Sequence, residues 1–174
     1  MPSSDPEFIT DICHRILRLQ PASVLDIGAG DGLWGFLARR YCDTYRAIDP
    51  TLKQTRIDCI EIFGAYITDI HRQVYNHIYT GDCLDLVPST GKHYDLIICG
   101  DVLEHMERAK GRKLLDLIRE HGRHAFVITP VKWTPSSNHF GNEHEIHREL
   151  WTATQLAEYG SVITAGNKHL CIFW

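Results

Sequence analysis

A glycine-rich segment that follows a short apolar run is the part of the sequence in which residue types and spacing point most clearly to chemistry. Residues 24–32 read VLDIGAGDG, so that three glycines alternate from Gly28 onward. Glycines let the chain turn tightly and let a ligand approach the backbone closely. Asp26 and Asp31 add two carboxylates, which disfavour a pyrophosphate but suit an ammonium or sulfonium cation. The segment therefore predicts a binding loop for a ligand that carries positive charge.

A dinucleotide-binding fingerprint is the main alternative for such a loop. Its third glycine would fall at position 33, where the sequence has Leu33 instead. The carboxylate of Asp31 would also lie where phosphates should bind. A nicotinamide-dependent oxidoreductase is therefore the less favoured interpretation.

A second group of chemically active side chains follows two later apolar runs. Asp101, Glu104 and His105 come directly after the run YDLIIC. Three of the eleven histidines crowd the segment after the next such run: His139, His144 and His147. On a helix, Glu104 and His105 would share a face with Asp101, at spacings of three and four residues. Such groups can act as general bases, can gather a divalent cation, or can form a structural pair between Glu104 and His105.

The elements that position these groups alternate between strand and helix. The predicted strands cover residues 23–27, 56–63, 79–80, 94–99 and 124–129, and the predicted helices cover 6–19, 33–40, 110–121 and 152–159. Residues 161–164 and 170–174 flank a Gly166-Asn167 turn and predict a hairpin. Alternating strands and helices predict a parallel sheet covered on both faces, with ligands at the carboxyl ends of the strands.

Two motifs carry a family resemblance. VLDIGAGDG resembles the first motif of the class I S-adenosylmethionine-dependent methyltransferases, and YDLIICGDVLEHM, residues 94–106, resembles their fourth. The resemblance implies a doubly wound, Rossmann-like α/β fold, with a mostly parallel seven-stranded sheet and a C-terminal antiparallel hairpin. It also implies a single methyltransferase domain over residues 1–174, in which the N-terminal helix within residues 1–20 is a candidate lid. S-adenosylmethionine would be the methyl donor and S-adenosylhomocysteine the product.

The resemblance implies a set of residues that contact the cofactor. Besides an acid at the end of the second strand, they are Asp26, Gly28, Ala29, Gly30, Asp82, Cys83, Gly100 and Asp101. Asp82 would accept a hydrogen bond from the exocyclic amine of adenine, or would instead cap a helix. Gly100 and Asp101 would face the methionine end of the cofactor.

Two acids compete for the ribose hydroxyls. Asp49 lies 21 residues after Gly28, and Glu61 lies 33 residues after it. Gly81 and Asp82 should follow the ribose acid after one helix and a short strand, and the 21 residues from Glu61 to Asp82 match that distance. Choosing Asp49 would leave the strand-like run 56–63 unplaced, so we favour Glu61.

On the acceptor side we assign catalysis to His105, His147 and Asp101. Together with Glu104 these residues are similar to the metal-binding set of ubiquinone-type O-methyltransferases and small-RNA ribose methyltransferases, except that Asp101 stands where those families have Glu. The shorter side chain of Asp101 weakens the case for a divalent metal, and none is expected. A hydroxyl or an amine on a small molecule is the expected acceptor. The alternatives are a non-catalytic S-adenosylmethionine-binding module and an RNA ribose methyltransferase.

Composition narrows the class of protein further. A net charge of −4 disfavours nucleic acid as a partner. The six cysteines show no C-x-x-C spacing, which predicts free thiols and a cytoplasmic location. The sequence lacks a run of eighteen apolar residues, the length that a membrane-spanning helix needs. Its polar, acidic first residues do not resemble a secretory signal. The sequence does not indicate an oligomeric state.

Overall fold

The computed structural model describes residues 4, 6–44, 54–132, 141–165 and 168–174. Within these residues the chain forms one seven-stranded sheet. The strands are β1 Ser23–Ile27, β2 Arg56–Glu61, β3 His77–Thr80, β4 Tyr94–Gly100, β5 Gly122–Pro130, β6 Ser161–Ala165 and β7 His169–Phe173. The helices are α1 Ile9–Leu19, α2 Leu33–Arg39, α3 Asp69–Val74, α4 Cys83–Ser89, α5 Arg108–His121 and α6 Ala153–Leu156.

The order of the strands explains where a ligand can bind. It is β3-β2-β1-β4-β5-β7-β6, so the chain builds outward from β1 in one direction and then, from β4, in the other. Strands β1 to β5 run parallel, whereas β7 is antiparallel to both β5 and β6. Ile27 is paired with Ile60 of β2 and with Cys99 of β4, so the three strands end at the same edge. The crevice at a reversal of strand order is where doubly wound sheets bind ligands.

Apolar side chains cover both faces of the sheet and attach the helices to it. One face packs Leu25 and Ile27 against the buried stripe of α5, which includes Leu114 and Ile118. The other face packs Val24 against α1 and α2. Strands that are buried on both faces explain the nearly continuous apolar runs of the sequence. The predicted fold class, with its C-terminal antiparallel hairpin, is confirmed.

Several boundaries differ from the predictions for local reasons. Strand β2 ends at Glu61 rather than at residue 63, because the carboxylate of Glu61 accepts the N–H of Phe63 and turns the chain. Helix α4 was not predicted, and it begins where Asp82 accepts the N–H of Leu84. Helix α5 begins at Arg108, two residues before the predicted start. Helix α6 spans only Ala153–Leu156 of the predicted 152–159, and the Gly166-Asn167 turn lies outside the described residues.

The composition-based expectations have structural counterparts. All six cysteines lie in the described part of the chain, where they are free thiols. Among the described residues, no helix combines the length and the apolar character needed to cross a bilayer.

Gly35 provides a test of the packing between α2 and the turn after α3. A Cβ atom at Gly35 would overlap the ring of the buried residue Tyr75. Replacing a helical glycine by alanine normally stabilises a helix by up to ~1 kcal/mol. Overpacking a rigid core costs about 1–3 kcal/mol, so the clash should prevail. We expect Gly35→Ala to lower the free energy of unfolding, measured by urea denaturation.

Gly64→Ala is a suitable control for that substitution. The nearest atom to a Cβ at Gly64 would be Cγ2 of Thr80, at 3.2 Å, which is a milder contact. Gly64→Ala should therefore lower the free energy of unfolding by less than Gly35→Ala does. Equal stability of Gly35→Ala and the wild type would contradict the packing described here.

Candidate active site

A cavity of about 1140 Å³ opens at the carboxyl ends of β1, β2 and β4. Its walls come from the β1–α2 loop, the ends of β2, β3 and β4, and residues 142–148. Pockets for a single small ligand are typically about 300–1,000 Å³. The cavity is therefore large enough for a cofactor together with a second small molecule.

The β1–α2 loop approaches its neighbours so closely that one position admits only glycine. Gly28 has a φ of +74°, and a Cβ atom there would overlap Cγ2 of Val102. The N–H groups of Gly28 and Ala29 donate to the carbonyl of Ile60, at 2.9 and 3.3 Å. The N–H of Gly30 donates to Oε2 of Glu61, at 2.9 Å. The loop is thus held against the end of β2 and exposes bare backbone to the cavity.

A buried histidine supports the same loop from α3. His71 is 0% exposed, and its Nε2 lies 3.1 Å from the carbonyl oxygen of Gly30. Its Nδ1 accepts the N–H of Thr68, so the proton of a neutral ring must be on Nε2, which donates to Gly30. Burial lowers the pKa of His71, which favours this neutral form. No motif in the sequence indicates His71, because its role depends on where α3 packs.

Asp26 does not have the position that the resemblance implied. It is 0% exposed and does not line the cavity. Its Oδ2 accepts the N–H of Gly35 at 3.0 Å and the hydroxyl of Tyr75 at 2.6 Å. Because the side chain points away from the loop into the core, Asp26 anchors α2 to α3, and the predicted direct contact with cofactor is corrected to a supporting role.

Glu61 lies at the end of β2, on the wall of the cavity, and is 4% exposed. Its Oε1 accepts the N–H of Phe63 and its Oε2 the N–H of Gly30, both at 2.9 Å. Burial raises its pKa, and these two hydrogen bonds partly oppose the rise. The position matches the acid predicted for the second strand. Asp49, the competing candidate, lies outside the described residues.

Asp82 and Cys83 line the cavity at the end of β3. One carboxylate oxygen of Asp82 accepts the N–H of Leu84 at 2.9 Å, so the predicted helix cap is present. Asp82 caps the helix and still lies on the cavity wall. Its position is therefore compatible with both predicted roles, as a helix cap and as an acceptor for the exocyclic amine of adenine. Burial raises the pKa of Cys83 to about 12, so this residue contributes a neutral thiol.

Strand β4 ends in a strained turn that faces the cavity. A Cβ atom at Gly100 would overlap Nε1 of Trp34, which donates to Oγ of Ser4 at 3.0 Å. Asp101 has a φ of +54°, an unfavourable conformation for a residue with a side chain, and its N–H donates to Ile128 at 3.0 Å. Strain of this kind is concentrated at functional sites.

The N-terminal segment contributes to both the core and the cavity. Helix α1 buries Ile12 and Ile16 against the sheet, so it packs as a core helix rather than as a lid. Ser4 lines the cavity. Residues 1–3 and Asp5 lie outside the described residues.

Three of the predicted acceptor-side residues come together. One ligand atom each of Glu104, His105 and His147 lie within 4.8 Å of one another. The rings of His105 and His147 meet edge to face, with centroids 4.9 Å apart. Oε2 of Glu104 accepts the hydroxyl of Thr129 at 3.2 Å. We refer to Glu104, His105 and His147 as the acceptor cluster.

Asp101 is not part of the acceptor cluster, which corrects the predicted four-residue set. The helix that would have aligned Asp101 with Glu104 and His105 does not form, because Asp101 is left-handed and only Leu103–His105 makes a 3₁₀ turn. Of the other histidines, His144 lines the cavity. His139 lies outside the described residues.

Burial shapes the charge of the acceptor cluster. It raises the pKa of Glu104 well above its usual range, and the nearby Asp101 adds to the rise. It lowers the pKa of His105 to about 4, and His147 beside it adds to the fall. His105 is therefore a neutral imidazole at pH 7, with a lone pair to offer a ligand.

The segment 142–151 is fastened around the acceptor cluster. The N–H groups of Arg148 and Glu149 donate to the carbonyl of Glu104, at 2.7 and 3.1 Å. Trp151 is buried, and its Nε1 donates to the carbonyl of Leu103 at 3.2 Å. Trp151 is thus a core residue, and it anchors the segment that places His147.

Comparison with known proteins identifies the family. The chain matches a family model described as a methyltransferase domain over residues 3–162, and it belongs to that family. It is an S-adenosylmethionine-dependent methyltransferase with the class I fold, and S-adenosylmethionine is its cofactor. A search of curated protein sequences found no match.

Solved structures share the fold at low sequence identity. The N-terminal domain of EvdMO1 with S-adenosylhomocysteine bound is 15% identical, with a TM-score of 0.65 over 98% of this chain and 80% of that one. The methyltransferase domain of a bacterial CtHen1 is 16% identical, with a TM-score of 0.62 over 97% of each chain. The 1,6-didemethyltoxoflavin-N1-methyltransferase of Burkholderia thailandensis is 16% identical, with a TM-score of 0.64 over 94% of this chain and 74% of that one.

Asp26 provides a test by pH. Burial raises its pKa to about 7, whereas the unfolded chain should titrate near ~3.9. The folded state therefore holds one more proton between these values, and the free energy of unfolding should fall as pH rises, by ~1.4 kcal/mol per unit. Asp26→Asn removes this titration while keeping an oxygen acceptor for Gly35 and Tyr75. In urea titrations, the wild type should therefore lose stability relative to Asp26→Asn as the pH rises from about 4 to 7. Parallel curves would contradict the assignment.

Proposed function

We propose that this methyltransferase transfers the methyl group of S-adenosylmethionine to a hydroxyl or an amine of a small molecule. The observation that carries the proposal is a single cavity that contains the bare glycine loop and Glu61 on one side and the acceptor cluster on the other. Such a cavity can hold donor and acceptor side by side. Holding two reactants at attack distance accounts for much of the acceleration of such a displacement.

On the cofactor side, we assign the ribose hydroxyls to Glu61. Its carboxylate lies at the cavity wall and presently accepts two backbone N–H groups, and a carboxylate has further lone pairs for hydroxyl donors. Asp82 and Cys83 would contact the adenine, and Gly28, Ala29 and Gly30 would approach the methionine portion. The carboxylates around the cavity favour a ligand that carries a sulfonium and an ammonium group.

On the acceptor side, His105 and His147 are the proton acceptors for a hydroxyl that loses its proton as the methyl group arrives. Glu104, fixed by Thr129, would accept a hydrogen bond from the acceptor or from a histidine ring. Asp101 lies at the end of β4 on the same wall and would face the sulfonium end of the cofactor. The intact polar cluster supports an enzyme rather than a binding module that has lost its chemistry.

A small acceptor is favoured over a nucleic acid by charge. The net charge is −4, and phosphate backbones require a basic face. One structural relative is named for methylation of 1,6-didemethyltoxoflavin, which is a small molecule, and another is described as an O-methyltransferase family protein. An RNA ribose acceptor is the second candidate, supported by the resemblance of the acceptor cluster to the metal-binding set of small-RNA ribose methyltransferases.

The acceptor cluster also has the composition of a divalent cation site. One carboxylate and two imidazoles within 4.8 Å of one another suit Mn²⁺ or Zn²⁺ better than Mg²⁺. A cation held by Glu104, His105 and His147 would polarise an acceptor hydroxyl and ease the loss of its proton. Adding a chelator and then restoring Mn²⁺ during a methyl-transfer assay separates this arrangement from a metal-free one.

We further propose that the chain acts as one domain in the cytoplasm. The single sheet and the six free thiols support this proposal.

The role of Glu61 is tested by binding of S-adenosylhomocysteine. Two hydrogen bonds to a charged group contribute about 1.5 kcal/mol each or more, so Glu61→Ala should weaken binding at least ~100-fold in calorimetric titrations. Glu61→Gln keeps the shape of the side chain and one acceptor oxygen, so its affinity for S-adenosylhomocysteine should lie between those of Glu61→Ala and the wild type. Glu107→Gln, which changes an exposed acid on another wall of the cavity, should bind as the wild type does. Wild-type affinity in Glu61→Ala would contradict the assignment.

The acceptor cluster is tested by separating cofactor binding from chemistry. We expect His147→Ala to bind S-adenosylhomocysteine within about threefold of the wild type but to lose methyl transfer by about 10²–10⁴-fold, as for removal of a general base. The assay follows radiolabelled methyl groups from S-adenosylmethionine into the small-molecule and nucleic-acid fractions of a cell extract. His124→Ala, at the amino-terminal part of β5, is a matched control. Label in the nucleic-acid fraction alone would favour the RNA alternative, and full activity of His147→Ala would contradict the catalytic role.

A further inference from the structure

A hydrogen-bonded contact joins the two sides of the cavity. The hydroxyl of Tyr66, in the turn after β2, donates to Oε1 of Glu145 at 3.1 Å. Asn142 donates to the same oxygen through Nδ2, at 3.2 Å. Tyr66, Asn142 and Glu145 all line the cavity, and we refer to these three residues as the bridge. Tyr66 and Asn142 are 4% and 2% exposed, and Glu145, which accepts from both, is half-buried.

One end of the bridge is continuous with the proposed ribose site. Glu61 accepts the N–H of Phe63, and the carbonyl of Phe63 accepts the N–H of Tyr66 at 2.9 Å. The rings of Phe63 and Tyr66 pack edge to face, with centroids 4.9 Å apart. A ligand that fixes Glu61 therefore fixes the turn that carries Tyr66.

The other end is continuous with the acceptor cluster. The carbonyl of Asn142 accepts the N–H of Glu145, and its Oδ1 accepts the N–H of His144 at 3.0 Å. Two residues beyond Glu145 the chain reaches His147, and the next residue, Arg148, is fastened to the carbonyl of Glu104. The negative charge of Glu145 also contributes to the raised pKa of both Glu61 and Glu104, so its carboxylate is near enough to influence both sides.

We propose that the bridge couples the two halves of the cavity, so that cofactor bound at Glu61 orders residues 142–147 and thereby positions His147 for the acceptor. Tyr66 and Glu145 act as positioning residues, through the chain segments they join. The proposal rests on the proposed function in one respect, the ribose site at Glu61. Coupling is reciprocal, so loss of the bridge must weaken cofactor binding by the same factor by which it loosens residues 142–147.

The test is amide hydrogen exchange of the full chain with and without S-adenosylhomocysteine. In the wild type the ligand should slow exchange in residues 142–147. Tyr66→Phe keeps the ring against Phe63 but removes the hydroxyl, and exchange with ligand bound should become about fivefold faster, the factor that corresponds to one hydrogen bond of ~1 kcal/mol. Calorimetry should show a loss of affinity of about the same factor.

Matched variants separate coupling from general destabilisation. Tyr94→Phe removes a hydroxyl bond of similar length to a buried carboxylate, Asp58, outside the cavity, and should leave the ligand-dependent protection intact. Glu145→Gln keeps an oxygen for Tyr66 and should retain protection, whereas Glu145→Ala should lose it.

The possible outcomes distinguish the proposed coupling from the proposed ribose site at Glu61. Unchanged exchange of residues 142–147 when ligand binds the wild type, or identical protection in Tyr66→Phe, overturns the coupling alone. Binding that is insensitive to Glu61→Ala overturns the ribose site, and the coupling with it.

Discussion

The structure depends on keeping a stretch of backbone bare at the carboxyl end of β1. No side chain can replace Gly28 without meeting Val102, and the loop that begins there must nevertheless hold one conformation. Buried polar groups provide that order from beneath. The carboxylate of Glu61 accepts the N–H of Gly30, and the ring of His71 donates to the carbonyl of Gly30. Asp26 holds the helix that follows the loop by accepting the N–H of Gly35. The protein thus stabilises the loop with buried polar groups, whose burial is costly unless they form hydrogen bonds such as these.

The same edge of the sheet explains why donor and acceptor share one cavity. Strand order reverses between β1 and β4, so the ends of β2 and β3 form one wall and those of β4 and β5 the other. Glu61 lies on the first wall and the acceptor cluster on the second, and the segment 142–148 lines the cavity between them.

Much of this arrangement could be predicted from the sequence because it depends on local signals. Alternating apolar runs and the glycine segment predicted the order of the strands and the fold, and the spacing from Glu61 to Asp82 predicted that Glu61 lies at the end of β2. The misplaced residues depend on tertiary geometry instead. Asp26 has the spacing of a loop residue but points into the core, and Asp101 leaves the acceptor cluster because of one left-handed turn. His71 and Tyr66 carry no motif at all, since their roles arise only when α3 and the turn after β2 pack against the cavity.

The most direct test of the central claim is a crystal structure of the chain with S-adenosylhomocysteine. We expect the ribose hydroxyls to lie within hydrogen-bond distance of Glu61, the adenine beside Asp82, and the sulfur directed toward Gly100 and the acceptor cluster. A ligand bound elsewhere, or a ribose held by another acid while Glu61 keeps only Gly30 and Phe63, would contradict it.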